Sequence, residues 1–222
     1  MQSLKEKYRP ATLAEISGQT AACKALASLV ANPRPCCLLF TGPTGTGKST
    51  AAGAIANELG CYGEWLETVQ VISGSDLDKD TIRKYFDGGS DCPFRLVAPN
   101  GWHVLIIEEF EYVNWQVAPR LKDALERRVQ ALGNLIVIAT SNSVDGIPQA
   151  IIDRFKRYDF DGGYKLAADY SRYIAAIWAA ERPGCPLPDD WKSWGWNYET
   201  EEFSARRAID ALEEALSGIP VE

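Results

Sequence analysis

At 222 residues with 46% hydrophobic content, the chain is long enough to bury a core and is neither disordered nor fibrous. Its 23 basic against 30 acidic residues leave a net charge of −7, which argues against coating nucleic acid through a bulk positive field but leaves room for a local basic strip. A single histidine, His103, and six cysteines without a C-x-x-C pair argue against a zinc site or a disulfide frame, and the cysteines read as small buried hydrophobes.

The opening "MQSLKEKYRP" is charged and leads into no apolar stretch, and no run approaches about 18 apolar residues, so the expectation is a soluble, intracellular protein without a membrane partner. A helical pattern over 20–31 precedes the apolar strand "CCLLF" (36–40), which breaks into a glycine-rich loop and resumes as a helix over 48–59. Strands follow at 69–73, 103–107, 135–139 and 157–160, separated by helical patterns near 80–87, 115–131 and 148–155 and by a loop at 87–101 whose Gly, Pro and Asp content marks it. Continuous apolar strands alternating with helices predict an α/β fold with a parallel five-stranded sheet covered by helices on both faces. After Phe160 the character changes. The helical segment 164–181, the Pro-rich "RPGCPLP", a Trp-rich "DDWKSWGWNYE" and a last helix near 203–216 predict a small helical lid, giving domains 1–160 and 161–222.

The loop explains the break in the first strand. Gly42, Gly47, Lys48 and Ser49 satisfy G-x-x-x-x-G-K-[ST], and the stretch Gly42, Pro43, Thr44, Gly45, Thr46, Gly47, Lys48, Ser49 and Thr50 is read as a phosphate cradle. Glycines let backbone N–H groups curl around a phosphate, the following helix aims its positive end at the same anion, and Lys48 reaches the terminal phosphates. Ser49 is left to hold Mg²⁺ through its hydroxyl. The expected ligand is a nucleoside triphosphate. A cradle needs a carboxylate to organise the metal and another to orient water. "VLIIEEF" ends a buried strand with both: Glu108 for the metal, Glu109 to polarise the attacking water.

On these residues the chain resembles the AAA+ ATPases, and within them the clamp-loader subunits of the replication factor C type. Five segments carry the resemblance over nearly the whole chain: "KYRPATLAEISGQ" (7–19), "ISGSD" (72–76), "EEFEYVNWQVAPRLKDALE", "ATSNS" and "IIDRF". The resemblance implies ATP and Mg²⁺ as cofactors, with Tyr8, Arg9, Pro10, Ile16 and Ser17 bordering the adenine. It implies that Asn142 senses the terminal phosphate and that Arg154, twelve residues on, reaches the ATP of a neighbouring subunit as an arginine finger. "SARRAIDAL" is similar to the family's lid motif, which makes Arg206 the second sensor. The implied partners are further copies of the chain or sister AAA+ subunits in a ring or spiral, with primer-template DNA and a sliding clamp beyond them.

The chain departs from the family pattern in four places. Glu108 stands where the family has aspartate, about 1.5 Å more reach where a displacement of about 1 Å can cost about 10²-fold in rate, so slow hydrolysis is expected. Asp153 and Phe155 replace the serine and cysteine flanking the finger, and the acidic "DLDKD" replaces a more basic segment. Sixteen residues follow Arg206 (222 minus 206), so no collar domain of at least about 50 residues is expected there. Two other readings stay open: a stand-alone ATPase that remodels or recruits a protein partner, for which Trp191, Trp194 and Trp196 would be a docking surface, and a weakly hydrolysing scaffold. For the DNA reading, Arg83, Lys84, Arg120, Lys122, Arg127 and Arg128 are the basic candidates.

Overall fold

The computed structural model describes residues 3–62, 68–87, 92–95, 98 and 100–218. Five parallel strands, β1 (Cys36–Thr41), β2 (Val69–Ser73), β3 (His103–Glu108), β4 (Leu135–Ser141) and β5 (Lys156–Asp159), form one sheet in the order β2-β3-β4-β1-β5. Alternate residues of each central strand point to opposite faces. Leu38, Phe40, Val104, Ile106, Ile136 and Ile138 pack under α2 (Thr20–Ala31) and α3 (Lys48–Glu58). Leu39, Leu105, Ile107, Leu135, Val137 and Ala139 face α4 (Lys79–Phe86), α5 (Ala118–Asp123), α6 (Val129–Leu132) and α7 (Gln149–Ile152). Both faces of these strands are buried, which is why the strands read as unbroken apolar runs. On α3, Ala51, Ala52, Ala54 and Ala56 are buried, small enough to let the helix lie close to the sheet.

Helices cover both faces of the sheet at β1, β3 and β4. Strand β2 stands at one edge of the strand order, and its Val71 is 54% exposed where it lines the cleft described below. The predicted helix over 115–131 is a relay of short turns: a 3₁₀ turn at Trp115–Val117, α5, a π-turn at Ala124–Arg128, then α6. The predicted helix over 148–155 is one turn, α7, entered from Pro148. Of the loop expected at 87–101, positions 88–91, 96, 97 and 99 lie outside the described residues; within it Pro93–Arg95 form a 3₁₀ turn, and Cys92 and Phe94 are buried in the core. All six cysteines are free. Burial pushes the Cys37 thiol up to about 12, so it serves as a packing group.

The lid is built on α8 (Tyr164–Glu181) and α9 (Ala205–Ser217). The Trp-rich piece between them holds a 3₁₀ turn at Trp191–Ser193 and then enters a short antiparallel ribbon, β6 (Trp196–Asn197) with β7 (Glu202–Phe203). Trp194 and Phe203 are buried among Ile174, Ile177, Trp178 and Leu212, and Trp191 and Trp196 pack, partly buried, against the same core. Helix α1 (Leu4–Lys7) joins the same core through Leu4. Lys5 pairs with Asp210 at 2.5 Å, Lys7 and Tyr8 both donate to Glu181 at 2.7 and 2.6 Å, and Tyr173 donates to the Tyr8 carbonyl. The first residues of the chain therefore pack on the last helices.

Candidate active site

Strand register assembles the site. Ser73 lies opposite Glu108, Thr41 opposite Ser141 on one side and Asp159 on the other, so the carboxyl ends of all five strands form one row. Strand order reverses beside β1, and clefts of open α/β sheets lie at such a point. A cleft of about 960 Å³ opens here between the row and the lid, within the range of small-molecule sites.

The loop from β1 to α3 forms its floor. Gly42, Gly45 and Gly47 have φ of 143°, 81° and 98°, the left-handed region that glycine tolerates. At two of them the space is also closed: a Cβ on Gly42 would strike the Phe160 carbonyl, and one on Gly45 the Ser204 hydroxyl. Thr44, Gly45, Gly47, Lys48, Ser49 and Thr50 line the cleft. Gly42, Pro43 and Thr46 lie behind it, where the Thr46 hydroxyl donates to the Pro43 carbonyl at 2.9 Å. Gly47 leads into α3, whose first-turn N–H groups are left for an anion.

Lys48 is 8% exposed, and its ammonium donates to Gly42 O at 2.6 Å, Pro43 O at 2.8 Å and Asn142 Oδ1 at 3.0 Å. Burial pulls it down to about 8, Glu111 raises it, and the positive charge of Arg206 lowers it. Two cations facing one cleft make an anion site. Arg206 arrives from α9, and the lid touches the loop directly, since the Ala205 N–H donates to the Gly45 carbonyl at 2.9 Å. Gln19, buried, fastens the same junction: its Nε2 donates to the Asp161 and Thr46 carbonyls at 2.8 and 3.2 Å, and its Oε1 accepts from the Asp161 N–H at 3.2 Å.

Glu108 and Glu109 both line the cleft. Glu109 has φ 54° and ψ 47°, left-handed for a non-glycine residue, at a site where Gly74 has room for no Cβ against the Glu109 carbonyl. Such backbone costs on the order of 1–3 kcal/mol and clusters at functional sites. It turns the chain so that Phe110 enters the core while Glu109 stays exposed.

Tyr8, Arg9 and Pro10 border the opposite wall, alongside Tyr170 and Tyr173 of α8. Ile16 and Ser17 are off the wall; Ile16 packs behind Gly47 and into the α2–α3 core. Arg154 is not brought to this cleft. It follows α7 and pairs with Glu126 of the π-turn at 3.0 Å, with its side chain 24% exposed. Its neighbours fix it there: Asp153 accepts from Gln149 Nε2 at 2.7 Å, and Phe155 is buried with its ring 5.4 Å from Phe110. Sequence reading passed over Glu111, which touches Asn142, and Gln19. The signals were present as the third carboxylate of "EEFE" and the end of "EISGQ".

Residues 38–161 match the model of a family described as "ATPase family associated with various cellular activities (AAA)". The chain is 31% identical over 220 residues to the Replication factor C small subunit of Thermofilum pendens, covering 95% of this chain and 61% of that protein. It is 29% identical over 221 residues to the Replication factor C small subunit 2 of Pyrobaculum islandicum, covering 96% of this chain and 63% of that protein. The chain thus spans less than two thirds of the length of these relatives. Among solved structures it is similar in fold to the Thermotoga maritima RuvB Holliday junction branch migration motor, with a TM-score of 0.69 at 19% identity, over 97% of this chain and 69% of that one.

Proposed function

The chain belongs to the AAA family of ATPases, and from that premise we propose that it acts as a clamp-loader-like subunit, hydrolysing ATP where copies or sister subunits meet in a ring or spiral. The observation that carries this reading is the separation of two guanidinium groups. Arg206 shares the cleft with Lys48 and Asn142, while Arg154 stands outside it on Glu126. The cleft then takes its second guanidinium from the Arg154 of a neighbouring copy.

In this reading the loop N–H groups and Lys48 hold the phosphates, Asn142 and Arg206 read the terminal one, and Glu109 polarises the attacking water. Tyr8, Arg9 and Pro10, backed by Ile16 and Ser17, take the adenine. Ser49 and Glu108 offer hard oxygen donors on the cleft wall, which suits Mg²⁺; among the described residues no group of three His, Cys, Asp or Glu would hold a metal unaided. A cation held by Ser49 and Glu108 would supply charge neutralisation to the substrate's phosphates. Residues 1–160 and 161–222 serve as base and lid, with Leu4–Tyr8 travelling with the lid. No helix among the described residues is long and apolar enough to cross a membrane, and the proposed setting is intracellular.

Primer-template DNA and a sliding clamp are the proposed clients. The support is the relatives' names and the basic helices, where Arg83 and Arg120 border a second cleft of about 390 Å³. Arg127 and Arg128 already pair with Asp123. The second reading, recruitment of a protein partner, draws on Tyr164 and Tyr198, each 73% exposed beside Trp196. Size measurement with and without a non-hydrolysable ATP analogue, repeated with primed DNA, tests both. Nucleotide-dependent assembly and DNA retention that falls steeply between about 50 and 200 mM salt are expected. A monomer whose specific activity does not change with protein concentration would overturn the interface reading, and a co-purifying protein client without DNA retention would favour the second.

A further inference from the structure

We infer that Glu111 is a positioning residue for Asn142, fixing which end of its amide faces Lys48 and so how the chain distinguishes a triphosphate from a diphosphate. The inference rests on the nucleotide reading above and deepens it. Glu111 stands on the 3₁₀ turn Phe110–Tyr112, thirty-one residues from Asn142. Its Oε1 accepts from Asn142 Nδ2 at 2.8 Å and from the Asn142 backbone N–H at 3.2 Å, and its Oε2 accepts from Ser141 Oγ at 2.7 Å. On the other side Lys48 Nζ and Thr44 Oγ1 donate to Asn142 Oδ1 at 3.0 and 3.3 Å.

An ammonium only donates and an ionised carboxylate only accepts. An amide held between them has one orientation that satisfies both, with oxygen toward Lys48 and nitrogen toward Glu111. One Nδ2 hydrogen is engaged by Glu111; the other is kept as a donor. Without the carboxylate Lys48 and Thr44 still hold the amide oxygen, but the nitrogen end and the backbone N–H of Asn142 lose their anchor, so the remaining N–H donor is no longer aimed at a terminal phosphate. The grip on main chain and side chain together, through charge-assisted bonds, also fixes the end of β4 from which Asn142 projects.

The test compares the full-length wild type with Glu111→Ala, Glu111→Gln, Asn142→Ala and the Glu111→Ala/Asn142→Ala pair. The readouts are binding of ADP and of a non-hydrolysable ATP analogue, kcat, KM, and the Asn142 side-chain amide signals by NMR without nucleotide. In Glu111→Ala, ADP affinity stays within about twofold, the analogue-to-ADP preference falls about tenfold, and kcat falls about 10- to 100-fold. The double variant is no worse than Asn142→Ala, since Glu111 acts through that residue. Glu111→Gln, whose amide oxygen still accepts a hydrogen, recovers most of the loss and keeps the test open if the alanine variant does not fold. The Asn142 amide protons move to solvent-like positions in Glu111→Ala. Unmoved Asn142 signals, an unchanged analogue-to-ADP preference, or losses that multiply in the double variant would overturn the inference. If those signals move but the wild type binds no nucleotide, the proposed function fails while the positioning of Asn142 stands; the reverse pattern removes only the positioning.

Discussion

The carboxyl edge of the sheet and the turn after α7 carry the two halves of the proposed chemistry, and they are built in opposite ways. At the edge, Lys48, Asn142, Glu111 and Arg206 come from four distant segments and meet in one cleft, where Lys48 has three oxygen partners. At the α7 turn, Arg154 has one carboxylate partner, Glu126, on a half-exposed side chain. Several bonds converging on buried Lys48 hold its geometry, whereas a single ion pair at the surface is worth little. The edge converges on one cleft; the turn holds its guanidinium outside that cleft through one partner.

The largest change to this contrast should follow Lys48→Ala. It removes the central cation of the edge, and we expect loss of tight nucleotide binding together with a fall in turnover of about 10²- to 10³-fold or more; retained tight ATP binding in a titration would break the assignment of the loop. Next comes Arg154→Ala, expected to leave nucleotide affinity within about twofold and to lower kcat by about 10³-fold, as loss of an arginine finger does. Mixing it with a Glu109→Gln subunit should restore part of the activity at hybrid interfaces, and no rescue in that mixing assay would count against action between copies. Gly42→Ala tests the backbone of the edge alone. With φ at 143° and the Phe160 carbonyl in the way, it should destabilise the fold by about 1–3 kcal/mol in a denaturant melt; an unchanged midpoint would show that the loop relaxes freely.

The smallest effect concerns the strap of Leu4–Tyr8 on the lid. Hydrogen bonds from Lys7, then Tyr8, hold the Glu181 carboxyl below the usual glutamate range. A group whose folded pKa is depressed stabilises above its unfolded pKa and loses that contribution as pH falls through the folded value. The strap should therefore be tight at neutral pH and loosen on acidification below the ordinary glutamate range. Glu181→Gln at neutral pH should speed amide exchange at positions 4–8 with little change in melting temperature, and exchange that ignores both would remove the strap from the lid's machinery.

What was legible in the sequence is what is local. The loop "GPTGTGKST" carries its own turn geometry and helix start, and the unbroken apolar runs of β1, β3 and β4 announce strands buried on both sides. What was not legible depends on contacts between distant segments. Nothing in "EEFE" says that its third carboxylate meets Asn142, because that meeting is decided by the β3–β4 register and the left-handed turn at Glu109. The same holds for Leu4–Tyr8: their docking partners lie more than 160 positions away. The ribbon of the Trp-rich segment was likewise not legible, because its two-residue strands are too brief for any periodicity to register.

The ring contact between Phe110 and Phe155 joins these two regions. Phe110 follows directly on Glu109, and Phe155 follows directly on Arg154, so one aromatic pair stands between the carboxylate of the cleft and the Arg154 guanidinium outside it. In an assembly of the proposed kind, any rotation of the Glu109 turn as its cleft fills or empties would be felt at the adjoining subunit within a single side-chain contact.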